Sequence, residues 1–378
     1  MTIAIDPLAT RLLFEYKHNS PLIGCRFDPS GRYLFVSAQD NTVQRFDLLN
    51  GRKVAFTGHQ SWLRGMAFVA PKRKEAEAAI AVEKARSAAQ VLVGGRASAM
   101  REKTPPAFIV ISGDYHGRLI WWPGETDEPK AIRTVDAHNG WIRAVAISPD
   151  EQTVASCGND QMIRLWATAD GKHVKTLEGH TSHVYNIAFH PDGTHLVSGD
   201  LKGNVKIWDL KKGEAVRELD AKVLNKYDPT FMADIGGIRG IAISKDGAYV
   251  ACAGITNVSN AFAGVGNPLV LLYDWKDGKA KQLKPKETFQ GTAWAVDFQT
   301  DGYLIGAGGG GQGRVWIWKL ADATNVQSLN VPANARDMAM HPDGTSLAVA
   351  CSDGSAKIYT MLPGPPVVKK TPEPPKKK

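Results

Sequence analysis

The chain has 378 residues, a formal net charge of +8, 43% hydrophobic residues and 22% charged residues. This is the composition of a folded globular protein, and no uninterrupted apolar run approaches the roughly 18 residues that a membrane-spanning helix needs, which excludes a disordered chain and a helical membrane protein. The start, MTIAIDPLATRLLFEY, has no basic segment followed by a continuous apolar core, so we expect no secretory signal and a cytoplasmic location.

The positive charge is concentrated in two segments. Residues 71–107 contain eight basic and four acidic residues, and residues 369–378 contain five lysines and one glutamate. Each segment has a net charge of +4, so the remainder of the chain is neutral. A neutral body has no broad basic face for gripping phosphates, and nucleic-acid binding is therefore an unfavoured alternative that would depend on these two segments.

A motif recurs along the chain. Its clearest copies are DAHNGWIRAVAISPDEQTVASCGNDQMIRLWAT and EGHTSHVYNIAFHPDGTHLVSGDLKGNVKIWDL, whose histidines His138 and His180 are 42 residues apart. His18 and His59 mark two earlier copies, and three later copies lack the histidine, which gives seven copies. Each copy has short apolar or alternating runs separated by turn signals such as Pro-Asp-Gly, which predicts four β-strands per copy.

This motif resembles the repeat of the WD-repeat family, which is about 40 to 45 residues long with Gly-His near its start and Trp-Asp at its end. The resemblance implies an all-β fold, a single seven-bladed β-propeller of four-stranded antiparallel blades over residues 1–362. The last copy stops after its third strand near Tyr359, so we expect residues 11–17 to supply the outer strand of the seventh blade and close the ring.

The resemblance also implies a structural tetrad, in which a Trp, a Ser or Thr, a His and a turn Asp are hydrogen-bonded within one blade. In the third blade this tetrad is assigned to His138, Ser156, Asp160 and Trp166. Blades two and four keep the histidine, serine and tryptophan, but they have His116 and Lys202 at the aspartate position. We therefore expect their tetrads to be incomplete.

Four histidines lie close together in the sequence of the fourth copy: His180, His183, His190 and His195. The extended strand from His183 to His190 spans roughly 23 Å, which is too far for ligands of one metal ion. We expect His180 to be a structural hydrogen-bonding residue and His190 to lie at the surface, with no metal bound. The four cysteines show no Cys-x-x-Cys spacing and are expected to be buried strand residues.

Insertions interrupt the repeat at three places. Residues 71–107 fall between the first two strands of blade two and are rich in helix formers, so we expect a helix there. The segments AKVLNKYDPTFMADIGG and ITNVSNAFAGVGNP extend a linker and a turn on the face of the ring that has the His and Asp turns. Their apolar side chains can bind a partner or pack the two segments together: Tyr227, Phe231, Met232 and Phe262. Residues 363–378 are rich in Pro and Lys and are expected to be a disordered tail.

Seven side chains are expected to surround the channel mouth on that same face. They occupy equivalent positions at the start of the innermost strands: Ile23, Arg64, Arg143, Tyr185, Arg239, Trp294 and Arg336. Guanidiniums beside a tryptophan and a tyrosine can bind carboxylates or phosphate and stack against a planar or aliphatic group. Alternatively, the arginines pair with nearby acids such as Asp297 and Asp337.

No catalytic or cofactor motif accompanies the repeats. The chain has no P-loop, His-Glu-x-x-His or Gly-x-Ser-x-Gly motif, and the glycines of AGGGGQGR precede the strand RVWIW instead of a dinucleotide-binding helix. We interpret the protein as a monomeric, non-catalytic scaffold without cofactor or metal, which binds a peptide-like or acidic protein partner at the mouth and neighbouring loops. The alternatives are a propeller enzyme with its active site at the mouth, and nucleic-acid binding through the insertion and tail.

Overall fold

The computed structural model of the protein describes residues 5–70, 108–260 and 265–364. Within these ranges the strands form seven four-stranded antiparallel sheets and one separate two-stranded hairpin. The strands up to the end of the third blade are β1 (Arg11–Lys17), β2 (Leu22–Phe27), β3 (Tyr33–Ala38), β4 (Val43–Asp47), β5 (Lys53–Phe56), β6 (Leu63–Val69), β7 (Ile109–Asp114), β8 (Arg118–Pro123), β9 (Arg133–Asp136), β10 (Ile142–Ile147), β11 (Thr153–Gly158), β12 (Ile163–Ala167) and β13 (His173–Leu177).

The later strands complete blades four to seven. They are β14 (Val184–Phe189), β15 (His195–Asp200), β16 (Asn204–Asp209), β17 (Glu214–Asp220), β18 (Asn225–Asp228), β19 (Ala233–Gly236), β20 (Gly240–Ile243), β21 (Tyr249–Asn260), β22 (Val265–Asp274), β23 (Ala280–Leu283), β24 (Thr292–Gln299), β25 (Tyr303–Gly309), β26 (Gly313–Lys319), β27 (Thr324–Val331), β28 (Ala335–Met340), β29 (Ser346–Cys351) and β30 (Ser355–Thr360). The helical pieces of the described chain are two short 3₁₀ turns, Pro7–Ala9 and Lys222–Leu224, and none of its helices is long and apolar enough to cross a membrane.

The ring closes through its first strand, as the sequence predicted. β28, β29 and β30 form the inner three strands of blade seven, and β1 pairs antiparallel with β30 as the outermost strand. The register runs from Arg11 opposite Thr360 to Lys17 opposite Ser355. Because the last blade is completed by the other end of the chain, the hydrogen-bonding edge of β30 is covered.

The hydrophobic core lies between adjacent blades. Second strands such as β11 and β15 are buried on both faces because each blade packs against a neighbour on either side. Trp208 of blade four, for example, packs in one cluster with Leu165 and Cys157 of blade three. All four cysteines are free and buried, as expected.

Two of the insertions form regular structure on the ring. The linker between blades four and five forms a 3₁₀ turn and the hairpin β18–β19, and the blade-five insertion lengthens β21 to 12 residues and β22 to 10. Lys226 of β18 donates to the Val258 carbonyl of β21 at 2.7 Å, so the hairpin packs against the long strand. Asn225 donates to the Leu201 carbonyl at 2.9 Å, which places the hairpin on the same face as the turn that follows β15.

Three expectations fall outside the described residues: the helix in 71–107, the position of Phe262, and the tail from residue 365 onwards. β6 ends at Val69 and β7 begins at Ile109. The insertion 71–107 therefore joins the first and second strands of blade two, where the sequence placed it.

The surface position expected for His190 is wrong. Only 6% of His190 is exposed, and its ring stacks on Trp275 with the centroids 4.0 Å apart. Its Nε2 atom donates to the Gly247 carbonyl of blade five at 3.0 Å. The sequence of a single repeat indicates a solvent-exposed turn at His190. This turn is covered by Trp275 of the neighbouring blade, and the motif within one repeat does not encode that contact. Among the described residues, no group of three or more His, Cys, Asp and Glu side chains is placed to hold a metal ion.

Candidate functional site: an arginine-aromatic channel mouth

Hydrogen-bonded tetrads hold the segments that lead into the inner strands. In blade three, Nδ1 of His138 donates to Oδ1 of Asp160 at 2.9 Å, and Nε2 of His138 accepts from Oγ of Ser156 at 2.7 Å. Nε1 of Trp166 donates to the same Ser156 oxygen at 2.9 Å. Burial lowers the pKa of His138, and Asp160 opposes that effect. One serine hydroxyl thus joins the third strand of the blade to the chain that enters its first strand.

The expectation of incomplete tetrads in blades two and four is wrong. Asp114 accepts from His59 at 2.9 Å, and Asp200 accepts from His180 at 3.0 Å. These aspartates are the last residues of β7 and β15, whereas Asp160 lies in the turn two residues beyond β11. Both backbone positions border the same turn, so a carboxylate from either one can contact the histidine.

The ionisation of Asp114 reflects its partners. Burial opposes its negative charge, but hydrogen bonds from His59 and Arg118 outweigh that effect and lower its pKa to about 2. The carboxylate is fully buried and also accepts from the backbone N–H groups of His116 and Arg118. The residue that sequence reasoning placed in the tetrad, His116, contributes only its backbone.

All seven positions predicted at the mouth line one cavity of about 310 Å³. Three more aromatic residues that sequence reasoning missed also line it: Trp62, Tyr115 and Trp141. Trp62 and Trp141 each lie three residues after a tetrad histidine, so comparing that position across the copies would have found them. Tyr115 follows β7 directly and has no such periodic signal.

Aromatic and guanidinium groups alternate along one side of the mouth. Tyr115 and Trp141 are stacked with their centroids 4.4 Å apart. Arg143 lies between Trp141 and Tyr185, with its guanidinium carbon 4.5 Å from each ring centroid. Arg239 follows, 4.3 Å from Tyr185. The stacked rings hold these long cationic side chains in place, which reduces the conformational entropy that they would lose on binding a ligand.

The other side of the mouth is centred on Trp294. The guanidinium carbons of Arg64, Arg239 and Arg336 lie 5.7, 5.3 and 5.9 Å from its ring centroid. Burial lowers the pKa of Arg239, and the positive charges of Arg143 and Arg64 lower it further, although Tyr185 opposes them. Burial and then the charge of Arg64 lower the pKa of Arg336. The cluster is therefore electrostatically unfavourable by itself.

Within the described chain, the four mouth arginines make no ion pair with an acid. Arg143 donates to the side-chain oxygen of Asn159 at 2.8 Å, and Arg64 donates to the Trp294 carbonyl at 3.1 Å, both neutral acceptors. Asp337 instead pairs with Arg26 at 2.6 Å, beside a second cavity of about 260 Å³ that both residues line with the inner strands. Burial raises the pKa of Asp297. The described residues thus do not show the acid pairing considered as the alternative.

The hairpin β18–β19 presents apolar side chains on the same face of the ring. Tyr227 and Phe231 are 55% and 54% exposed, and Met232 between the strands is 81% exposed. Asp228 accepts from the backbone N–H of Thr230 and so shapes the turn that presents them. Large side chains with this exposure form an apolar patch next to the extended hairpin of blade five.

The fold and the mouth together define a class of protein, a closed seven-bladed propeller with a cationic, aromatic opening. A family model described as "WD domain, G-beta repeat" matches residues 10–47, 129–167, 171–209 and 324–360, which include strands of blades one, three, four and seven. Four stretches of the chain thus match the WD repeat, and the fold is the seven-bladed β-propeller that the resemblance implied.

Three curated relatives match shorter stretches of the chain. Polyadenylation factor subunit 2 of Candida albicans is 31% identical over 63 residues, 17% of this chain and 11% of the relative. Eukaryotic translation initiation factor 3 subunit I of Scheffersomyces stipitis is 34% identical over 88 residues, 23% of this chain and 25% of the relative. Small ribosomal subunit protein RACK1 of Glycine max is 46% identical over 43 residues, 11% of this chain and 13% of the relative. The matched stretches thus span at most a quarter of these relatives.

Proposed function

We propose that this protein is a non-catalytic scaffold that binds an acidic or peptide-like protein partner at the channel mouth. WD-repeat propellers are typically scaffolds or adaptors for protein interactions. The names of the three relatives describe a factor subunit, an initiation factor subunit and a ribosomal subunit protein, which are components of larger assemblies. The tetrads and blade interfaces are occupied in supporting the ring, which leaves the mouth and the added hairpins for recognition.

The observation that carries the proposal is the arginine cluster without acids. Four guanidiniums line a cavity of about 310 Å³, and its described lining includes no carboxylate and no histidine. A carboxylate-bearing partner would supply the missing negative charge, and Arg can bind it through two parallel hydrogen bonds. The same lining lacks a general acid–base pair, so it gives no support to a propeller enzyme.

The hairpin β18–β19 supports a second contact area for the same partner. Its exposed Tyr227, Phe231 and Met232 lie on the mouth face, and interfaces are enriched in aromatic residues and methionine. Phe262, which lies outside the described residues, is included in this proposed area on sequence grounds alone. A partner that contacts both areas would be anchored by charge at the mouth and by apolar burial at the hairpin.

A capture experiment tests the proposal. The intact protein and the variant with Arg143→Ala, Arg239→Ala and Arg336→Ala are immobilised, and bound proteins are identified by mass spectrometry. Arg217→Ala is the matched control, because Arg217 also lies over a tryptophan, at 5.1 Å from the Trp275 ring, but on the outer strand β17. A further variant, Tyr227→Ser with Met232→Ser, tests the hairpin separately.

The proposal predicts that the triple variant loses the specific partners while its circular dichroism spectrum is unchanged, and that Arg217→Ala keeps them. Identical partner sets for the intact protein and the triple variant would contradict binding at the mouth.

A further inference from the structure

The mouth has unused hydrogen-bond donors as well as uncompensated charge. Nε of Arg239 and Nε1 of Trp294 are buried and have no hydrogen-bond partner among the described residues. Buried polar groups are nearly always paired in native proteins, and an unpaired one destabilises the fold. Both side chains line the cavity. A ligand in the cavity is therefore the natural source of the missing acceptors, after local adjustment of the two side chains.

The arginines approach the cavity from different directions. They come from four blades, at the starts of β6, β10, β20 and β28, and three of them surround the Trp294 ring. A carboxylate is planar, has one negative charge and usually engages one or two arginines. A phosphate monoester has nearly two negative charges and three terminal acceptor oxygens in a tetrahedral arrangement. The phosphate fits a convergent cluster of four cations better than the carboxylate does.

We propose that the group recognised at this mouth is a phosphate monoester on a side chain of the protein partner. The proposal rests on the proposed function and narrows its ligand from an acidic residue to a phosphorylated one. The phosphate lies among Arg64, Arg239 and Arg336 beside Trp294, where the charge is most concentrated and both unpaired donors are found.

The rim favours a peptide as the carrier of this phosphate. Trp62 and Trp141 are 44% and 42% exposed at the rim, and Pro21 and Ile23 of the neighbouring blade one line the same cavity. Adjacent aromatic and aliphatic surfaces suit the mixed side chains that flank a phosphorylated residue. A nucleotide would use the aromatic side only, by stacking its base.

Fluorescence anisotropy with the full-length protein tests the inference. The probes are short labelled peptide pools of degenerate sequence with a fixed central phosphoserine, and the matched pools with glutamate or serine at that position. Adenosine monophosphate and inorganic phosphate are used as competitors. The variants are Arg239→Gln, Arg336→Gln and Arg336→Lys, with Arg217→Gln as the control and thermal unfolding as the check on folding.

The expected result is that the phosphoserine pool binds at least about tenfold more tightly than the glutamate pool, since hydrogen bonds to a charged group contribute roughly tenfold to a hundredfold each. Arg239→Gln and Arg336→Gln should weaken the phosphoserine pool by a similar factor, and Arg217→Gln should have no effect. Arg336→Lys should restore part of the affinity, because Lys retains the charge without the two-pronged geometry.

Three results would overturn the inference. Equal binding of the glutamate and phosphoserine pools would show that any acid suffices, and the proposed function would stand. Competition by adenosine monophosphate or inorganic phosphate at the affinity of the peptide pool would show that the peptide is not recognised. Failure of every pool to bind would remove the inference, and the capture experiment would then decide whether the mouth binds proteins at all.

Discussion

Individual hydrogen-bonded side chains make the blades rigid, and Ser156 shows how. Its hydroxyl accepts from Trp166 and donates to His138, so Ser156→Ala leaves two buried polar groups without partners. We predict a loss of about 2–4 kcal/mol in the free energy of unfolding, measured by urea denaturation. Ser37→Ala is the control, because Ser37 is also fully buried but its hydroxyl has no partner among the described residues. Equal losses for the two variants would show that the hydrogen bonds contribute nothing.

Asp114 gives the tetrad of blade two a predicted pH dependence. Its pKa is lowered from 3.8 to about 2 in the folded protein, so ionised Asp114 stabilises the fold fully above pH 3.8 and loses this effect as the pH falls towards 2. A shift of this size corresponds to about 2 kcal/mol. We expect the free energy of unfolding of Asp114→Asn to fall less steeply than that of the unaltered protein across this pH range, in urea titrations at several pH values. Parallel curves for the two proteins would contradict this assignment.

At the scale of elements, the closing strand β1 joins the two ends of the ring. Tyr16 is fully buried and packs against Phe46 of blade one, with the ring centroids 4.9 Å apart. We predict that Tyr16→Ala lowers the free energy of unfolding by about 3–5 kcal/mol, because it leaves a cavity between the first and last blades. Tyr16→Phe should be close to neutral, since the Tyr16 hydroxyl has no partner among the described residues. Calorimetric unfolding of both variants checks this, and a mild effect of Tyr16→Ala would mean that β1 is dispensable.

The strands and their order could be predicted because each copy repeats the same alternation of apolar runs and turns. Ring closure could be predicted because the last copy lacks a strand and residues 11–17 resemble an outer one. The covering of His190 by Trp275 could not, because it is a contact between blades and the motif within one blade does not encode it. The regular hairpin β18–β19 was likewise read only as an extended linker, since its pairing is not part of the repeat.

At the scale of the whole molecule, circular arrangement brings one sequence position from seven copies to a single surface. The seven predicted mouth residues meet at one cavity because the innermost strands all begin at the same rim. Tyr115 could not be predicted from the repeat, because blades one, three and four have no aromatic residue at the equivalent position after the second strand. Trp62 and Trp141 lie at a second equivalent position, three residues after the tetrad histidine, where blade four has His183 instead. The pairing of Asp337 with Arg26 could not be foreseen either, since Arg26 and Asp337 are 311 residues apart in the chain.

The central claim is that recognition takes place at the mouth and not on the blade edges. Hydrogen–deuterium exchange of the intact protein, with and without the tightest-binding acidic peptide pool, tests this most directly. The account predicts increased protection at the starts of the inner strands β6, β10, β20 and β28, which present Arg64, Arg143, Arg239 and Arg336, and unchanged exchange at the outer strands β5, β13 and β17. Protection confined to outer strands, or to the turns around His190 on the opposite face, would contradict it.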